Sequence, residues 1–218
     1  TDVNGNVSTG TAIVTVQDLI APAAISQNIT VQLGINGQVA ITPTQINNGS
    51  FDNCGIATLT LDITNFTCAN VGANTVTLTV TDVNGNISTA TAIVTVQDLI
   101  APTVVTQNIS VQLDTNGQAV ITPAQINNGS TDNCSIATYV LDVTNFTCAN
   151  VGPNTVILTV TDVNGNIGTA PAIVTVQDLI APTVISQNIS VQLDANGQAV
   201  ITPAQINNGS FDHCGMAT

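Results

Sequence analysis

Hydrophobic and polar residues alternate along several short stretches of the chain, most clearly in residues 154–162, NTVILTVTD. In this stretch Val156, Leu158 and Val160 point to one face and the residues between them to the other. A period of two is that of a β-strand with one face on a core. No segment has a convincing helical period, so the pattern predicts an all-β protein.

The pattern recurs every 80 residues. TDVNGN begins at Thr1, Thr81 and Thr161, and residues 1–80 and 81–160 are identical at 61 of 80 positions. The clearest punctuation is VQDLIAP, where a β-rich run ends at an Asp and the Pro keeps the preceding residue extended. Boundaries in this motif predict the tail of a preceding repeat at 1–20, two complete repeats at 21–100 and 101–180, and the front half of another at 181–218. We therefore expect a segment of a longer tandem array.

Each complete repeat is predicted to contain short strands joined by Gly-rich turns. In the second repeat the predicted strands lie at about 103–113, 118–122, 136–142, 155–161 and 167–177. The sequences DTNG and DVNGN mark two turns, a long loop covers 123–135, and an irregular stretch extends to Asn154. An 80-residue unit of this kind indicates a small antiparallel β-sandwich.

The charge of the chain is one-sided. It has 13 acidic residues, all Asp, and no Lys or Arg, which gives a formal net charge of −13. Nucleic acid and anionic membrane surfaces are excluded as partners because no cation can contact their phosphates. No apolar run approaches the ~20 residues of a membrane span, so we expect no membrane insertion by these residues. Aromatic residues make up only 2% of the chain, which leaves Val, Ile, Leu and Ala to form the core.

The cysteines occur as pairs fourteen residues apart, one pair in each complete repeat. A small sandwich with few aromatic residues has a thin core, for which a covalent cross-link is expected. We predict disulfides Cys54–Cys68 and Cys134–Cys148, with the partner of Cys214 beyond the sequence, and hence an extracellular location. Metal ligation and buried free thiols are the alternatives, and the absence of any Cys-x-x-Cys and the single His weaken the first of them.

An enzyme is not expected. His213 is the only His, and Asn53 and Asn133 take its place in the other repeats. Without Glu, Lys or Arg, the Asp residues lack partners that would tune a catalytic acid or base.

The Asp residues suggest a metal site instead. If the strands run alternately up and down, the junction Asp98, the loop Asp132 and the turn Asp162 meet at the end where a repeat begins. Converging carboxylates without cations repel one another, and Ca²⁺ is the ion that accepts such oxygen ligands. The predicted calcium ligands at the junctions are Asp18, Asp52, Asp82, Asp98, Asp132, Asp162, Asp178 and Asp212.

Turn chemistry is the competing interpretation of the same residues. Asn-Gly is a strong hairpin signal, and an Asp before it commonly caps the turn. Gly34 stands where the later repeats have Asp114 and Asp194, which argues against an essential ligand at that turn.

The order DNCG, FTCANVG, TVTLTVTDVNGN and TAIVTVQDLIAP resembles hyalin-repeat (HYR-like) immunoglobulin-type domains, in particular the arrays of giant surface proteins of Flavobacterium-like gliding bacteria. The resemblance implies a tandem array of Ig-like β-sandwiches, export by a type IX system and anchoring at the bacterial outer membrane. The units lack further cysteines often found in the animal repeats, a departure that argues against carrying over the roles of the animal family.

These observations predict a non-enzymatic stalk or adhesin segment that serves surface attachment and, by the resemblance, gliding motility. Its expected partners are the neighbouring repeats of the same chain, with a surface or cell-envelope ligand bound by other parts of the protein. Two alternatives stay open. One is a self-assembling extracellular filament formed by lateral association, and the other is an accessory module of a secreted enzyme.

Overall fold

A computed structural model describes residues 1–216 and confirms the all-β class. The chain divides into two compact units, Thr1–Leu99 and Ile100–Thr218. The first unit contains the tail at 1–20 as well as one repeat, so this division does not test the predicted repeat boundaries, which stay predictions. Among the described residues, no helix is both long and apolar enough to cross a membrane.

The first unit contains six strands and one helical turn. These are β1 (Ile29–Gln32), β2 (Gln38–Ala40), α1 (Pro43–Ile46), β3 (Ile56–Leu61), β4 (Asn65–Thr67), β5 (Gly72–Asp82) and β6 (Ile87–Gln97). A 3₁₀ turn, Cys68–Asn70, separates β4 from β5.

The second unit repeats this order and adds one helical turn from the next repeat. Its elements are β7 (Ile109–Gln112), β8 (Gln118–Val120), α2 (Pro123–Ile126), β9 (Ile136–Leu141), β10 (Asn145–Thr147), β11 (Gly152–Asp162), β12 (Ile167–Gln177) and α3 (Pro203–Ile206). The 3₁₀ turn Cys148–Asn150 follows β10.

Each complete repeat folds into a four-stranded sheet and a two-stranded sheet. The strand order in the first unit is β1-β6-β5-β3, with β2 paired to β4. The sandwich is antiparallel except at one edge, where β1 runs parallel to β6. The side chain of Asn28 supports this edge by accepting a hydrogen bond from the N–H of Ile93 at 2.7 Å.

The alternation in β11 builds the core as predicted. Val156, Leu158 and Val160 are all fully buried. Burying such a side chain contributes about 1.5–3 kcal/mol relative to leaving it exposed. One Phe in each complete repeat, Phe66 or Phe146, completes the core with 1% of its surface exposed.

The predicted loop 123–135 begins with a helical turn that the sequence analysis did not foresee. Pro123 occupies the first turn, and the side chain of Gln125 accepts a hydrogen bond from the N–H of Thr122 at 2.8 Å. This is the capping-box pattern of Thr or Ser followed three residues later by Gln or Glu. The turn buries Ile126 completely.

The predicted pairing of cysteines within a repeat is wrong. Cys148 is bonded to Cys214, 66 residues further along the chain, with a Cα–Cα distance of 5.0 Å. Cys54 is free and exposed, whereas Cys68 and Cys134 are both disulfide-bonded. Neither Cys54–Cys68 nor Cys134–Cys148 forms, and the partner of Cys214 lies within the sequence.

The strand geometry explains this error. Cys134 precedes β9, whose first residue Ile136 pairs with Asp162 at one end of β11. Cys148 begins the turn that leads to Gly152 at the other end of β11. At ~3.3 Å per residue, an eleven-residue strand separates its ends by about 33 Å, whereas a disulfide requires Cα atoms within about 7 Å.

The bridge is packed into the second unit. Cys148 and Cys214 both contact its hydrophobic core. Gly117, in the turn between β7 and β8, has a φ of +70° and lies against the bridge, so that a Cβ there would be 2.8 Å from Cys148 Sγ. The glycine of this Asn-Gly turn therefore provides both the backbone conformation and the space for the disulfide.

Candidate metal site

Three carboxylates meet in the first unit where the N-terminal tail leads into the repeat. Asp18 belongs to the tail, Asp52 to the loop between α1 and β3, and Asp82 is the last residue of β5. One oxygen of each lies within 4.8 Å of the others. We call these three residues the acidic cluster.

Asp82 is the buried member, with 1% of its surface exposed. Its Oδ1 accepts hydrogen bonds from the N–H groups of Asn84 and Asn86, both at 2.8 Å, and its Oδ2 accepts one from Asn86 Nδ2 at 2.7 Å. Burial opposes ionisation, but these hydrogen bonds outweigh it and hold the pKa of Asp82 below its ordinary value. Asp82 therefore stays charged at neutral pH.

The same turn holds the tail in place. Asn86 Nδ2 donates to the backbone oxygen of Asp18 at 3.1 Å and to that of Ile20 at 3.3 Å. The last Asn of DVNGN thus joins the tail, the turn and the Asp82 carboxylate. Sequence analysis missed this role of Asn86. The one signal that pointed to it is that the same Asn ends every copy of the motif.

Asp18 and Asp52 each keep one oxygen available for a ligand. Asp52 Oδ2 accepts from the N–H groups of Cys54 at 2.8 Å and Gly55 at 3.1 Å. Asp18 Oδ1 accepts from the N–H of Ile20 at 3.0 Å. Asp18 Oδ2 is buried and has no hydrogen-bond partner among the described residues. A buried charged oxygen in this state is costly unless a cation approaches it.

The donor set fits a hard divalent cation. The sequence has no Lys or Arg that could neutralise the cluster. At an effective dielectric constant of 20, two carboxylates at this separation repel by roughly 3 kcal/mol. Ca²⁺ prefers carboxylate and carbonyl oxygens, which are the groups present here, so the residues fit a calcium ion.

The second unit repeats part of this arrangement. Asp132 and Asp162 offer carboxylate oxygens within 4.8 Å of each other. The Asp162 carboxylate accepts hydrogen bonds from its own turn, as that of Asp82 does; Asn166 Nδ2 donates to Asp162 Oδ2 at 2.7 Å. Asp132 Oδ1 is buried without a hydrogen-bond partner among the described residues.

The remaining predicted ligands are Asp98, Asp178 and Asp212. Asp178 and Asp212 line one surface pocket, together with Ile180 and Pro182. Asp98 directly follows β6 at the end of the first unit.

Other Asp residues have structural roles. Asp62 and Asp142 follow β3 and β9, and each accepts a hydrogen bond at 2.8 Å from a backbone N–H of the neighbouring long strand. Asp114 accepts from the N–H groups of Asn116 and Gln118 within its own turn. Turn chemistry therefore accounts for Asp114.

His213 lies exposed in the loop before Cys214. Its ring meets that of Phe211 edge to face, with the ring centroids 6.1 Å apart.

Cys54 lies beside the acidic cluster. Its thiol, a weak donor, faces the Asp18 carboxylate. Its interaction with the Asp18 carboxylate, together with partial desolvation and the negative charges of Asp18, Asp52 and Asp82, raises the pKa of this thiol. Cys54 is therefore a protonated, weakly nucleophilic thiol at neutral pH.

This environment predicts the pH dependence of Cys54 alkylation. The rate with iodoacetamide should rise with a midpoint above the ordinary thiol pKa of about 8.5, because the thiolate forms beside like charges. Asp18→Asn should lower the midpoint, and Asp114→Gly, in a turn of the second unit, should leave it unchanged. A wild-type midpoint at or below the ordinary value would contradict the geometry of the cluster.

Comparison with known proteins assigns no family. No protein-family model and no curated protein matches the chain. Among solved structures, protocadherin gamma B7 cadherin domains 1–4 align with 12% identity over 79% of this chain and 55% of that one, with a TM-score of 0.35. Drosophila N-cadherin EC1-4 aligns with 14% identity over 72% of this chain and 50% of that one, with a TM-score of 0.39. The Ig1-2 module of the Drosophila receptor protein tyrosine phosphatase DLAR aligns with 9% identity over 72% of this chain and 100% of that one, with a TM-score of 0.25.

The chain spans about half the length of the two cadherin fragments. These similarities are too weak to carry functional information, and the function is therefore argued from the residues of the chain itself.

Proposed function

We propose that this chain is a non-enzymatic segment of an extracellular stalk, in which β-sandwich repeats follow one another and hold a binding element away from a surface. The observation that carries the proposal is the Cys148–Cys214 bond, which joins consecutive sequence repeats covalently. A protein that only displayed a local site would gain little from such a bond, whereas in a chain under tension the bond shortens the covalent path between the two ends. Disulfides of this kind also favour an oxidising, extracellular location.

The composition supports a mechanical role over a catalytic one. The sequence has one His and no Lys, Arg or Glu, and that His is exposed in a loop. Asp62, Asp114 and Asp142 are engaged by backbone N–H groups. What distinguishes the chain chemically is its clustered carboxylates, for which the sequence offers no Lys or Arg that would tune a catalytic acid or base.

The finer assignment rests on the sequence resemblance alone. HYR-like arrays of gliding bacteria imply a giant outer-membrane adhesin exported by a type IX system and used in attachment or gliding. On this proposal the ligand is bound by other parts of the protein. The present repeats supply reach, to which each further repeat adds length.

Calcium is the proposed resident ion of the acidic cluster. Asp18 Oδ2, Asp52 Oδ1 and Asp82 Oδ2 are the oxygens that the hydrogen bonds leave with open lone pairs. When bound, the ion supplies positive charge that offsets the carboxylate repulsion. Because Asp18 lies on the tail and Asp82 on the turn, binding would hold the tail against the repeat.

Calcium binding is testable by titration calorimetry. Asp18→Asn combined with Asp52→Asn should bind one Ca²⁺ fewer than the wild type, because the cluster keeps a single carboxylate. The matched control is Asp114→Gly, which copies the natural Gly34 and should keep the full stoichiometry. Equal stoichiometry in all three proteins, including none in any, would remove calcium from this site.

Lateral self-association into a filament is the second candidate, and the exposed edge strand β9 favours it. Tyr139 and Val140 on this strand are 38% and 55% exposed. An unpaired, apolar strand edge is a template for pairing with another chain.

Sedimentation velocity separates the two candidates. A stalk segment should sediment as a monomer from micromolar to near-millimolar concentration, in the presence and absence of Ca²⁺. Growth of larger species with concentration would reject the monomeric stalk and support the filament.

A further inference from the structure

The Cys148–Cys214 disulfide determines which part of the chain carries tension. The bond has a sequence separation of 66 and thus encloses 65 residues, 149–213. Force applied to the two ends of a cross-linked chain follows the shortest covalent path. That path crosses from Cys148 to Cys214 over 5.0 Å between Cα atoms and leaves the enclosed residues unloaded.

The enclosed residues include the most extensively paired element of the repeat. Strands β11 and β12 form a hairpin with ten cross-strand pairs, from Gly152↔Val176 to Thr161↔Ile167. This hairpin supplies six buried residues of the core, namely Val156, Leu158, Val160, Ala172, Val174 and Val176. The bond therefore keeps pulling force off the hairpin that organises the sandwich.

The loaded part of the repeat is short. Cys134 is also disulfide-bonded, and Cys148 follows it by fourteen residues. In an array whose repeats are all joined in this way, each repeat adds only fourteen residues to the covalent path. Fully extended, these span at most about 50 Å, compared with about 290 Å for a whole 80-residue repeat.

We propose that the disulfides between repeats act as force-bearing cross-links that make the array nearly inextensible. The proposal rests on the stalk function proposed above and gives it a mechanism. A repeat whose sandwich opens under load would lengthen by a small fraction of its chain. Reduction of the bond by a dithiol would release the enclosed residues 149–213 and so lengthen the chain. In this reaction the dithiol is oxidised to its own disulfide, and Cys148 and Cys214 each gain an electron and a proton.

Single-molecule pulling of the full chain through its termini tests the proposal. The double variant Cys148→Ser/Cys214→Ser should reach a contour length roughly 210–230 Å longer than the oxidised wild type, at ~3.3–3.6 Å for each of the released residues. Dithiothreitol added to the wild type under load should release at least this length. Cys54→Ser, which removes the free thiol, should match the wild type.

The contour length is measured on the unfolded chain, so the release of residues 149–213 in the double variant does not depend on whether that variant folds. Equal lengths for the oxidised wild type and the double variant would overturn the proposal. Sedimentation tests the monomeric stalk separately. If the chain assembles in sedimentation but the double variant still shows the extra contour length in pulling, the monomeric stalk is rejected and the force-bearing cross-link is supported.

Discussion

Replacing Cys148 and Cys214 together by Ser is expected to lower the free energy of unfolding of the second unit by roughly 4 kcal/mol. The bond closes a loop of 66 residues, and the chain-entropy model gives about this value for a loop of that length. The bridge also packs on the core of the unit, so the variant loses contacts in addition to the constraint. Urea denaturation of the oxidised chain, followed by far-ultraviolet circular dichroism, measures the effect.

Cys54→Ser is the matched control for this experiment. Cys54 is free and exposed, so its replacement should change the free energy of unfolding by no more than about 0.5 kcal/mol. A double variant as stable as the control would show that the bond is absent from the native protein.

Phe66→Ala is expected to destabilise the first unit by about 3–5 kcal/mol, the range found for a buried Phe whose site does not collapse. Phe66 is 1% exposed and lies on β4, where its backbone pairs with Val39 of β2. Thermal and urea denaturation would both report the loss.

The same repeat provides the control. Phe51 is 63% exposed, although its backbone is paired with Ala23. Phe51→Ala should therefore cost about 0.5 kcal/mol or less. Similar losses for the two variants would mean that the sandwich does not pack around Phe66.

Sequence periodicity predicted the strands that are long and half-buried. The alternation around Val156, Leu158 and Val160 located β11, and the turn DVNGN located the hairpin to β12. The strand begins earlier than predicted because Gly152 and Pro153 belong to it, and both residue types are normally disfavoured in strands.

Non-local features were outside the reach of such patterns. The three-residue strand β10 is too short to show a period, and the parallel pairing of β7 with β12 joins segments 65 residues apart. The pairing of the cysteines is also a non-local feature, because the spacing of cysteines along the chain does not determine which of them bond. Here the fourteen residues from Cys134 to Cys148 lead from one end of the sandwich to the other.

The carboxylates of the candidate site were predictable from the sequence, but the hydrogen bonds that hold them in place were not. Each of Asp18, Asp52 and Asp82 stands at a recurrent turn or junction signal, and assuming alternating strands was enough to bring the three together. The role of Asn86 depends on the orientation of one amide toward the backbone oxygens of Asp18 and Ile20. That contact is tertiary and leaves no signature beyond the repetition of the motif.

The central claim is that a covalent bond joins one repeat to the next, and peptide mapping without reduction tests it most directly. The chain has no site for trypsin, but cleavage before each Asp places all five cysteines on separate peptides. The account predicts a disulfide-linked pair of peptides 142–161 and 212–218, with peptide 52–61 carrying a free thiol. Peptide 132–141 linked to peptide 142–161 would mean that the cysteines pair within a repeat, and would contradict the account.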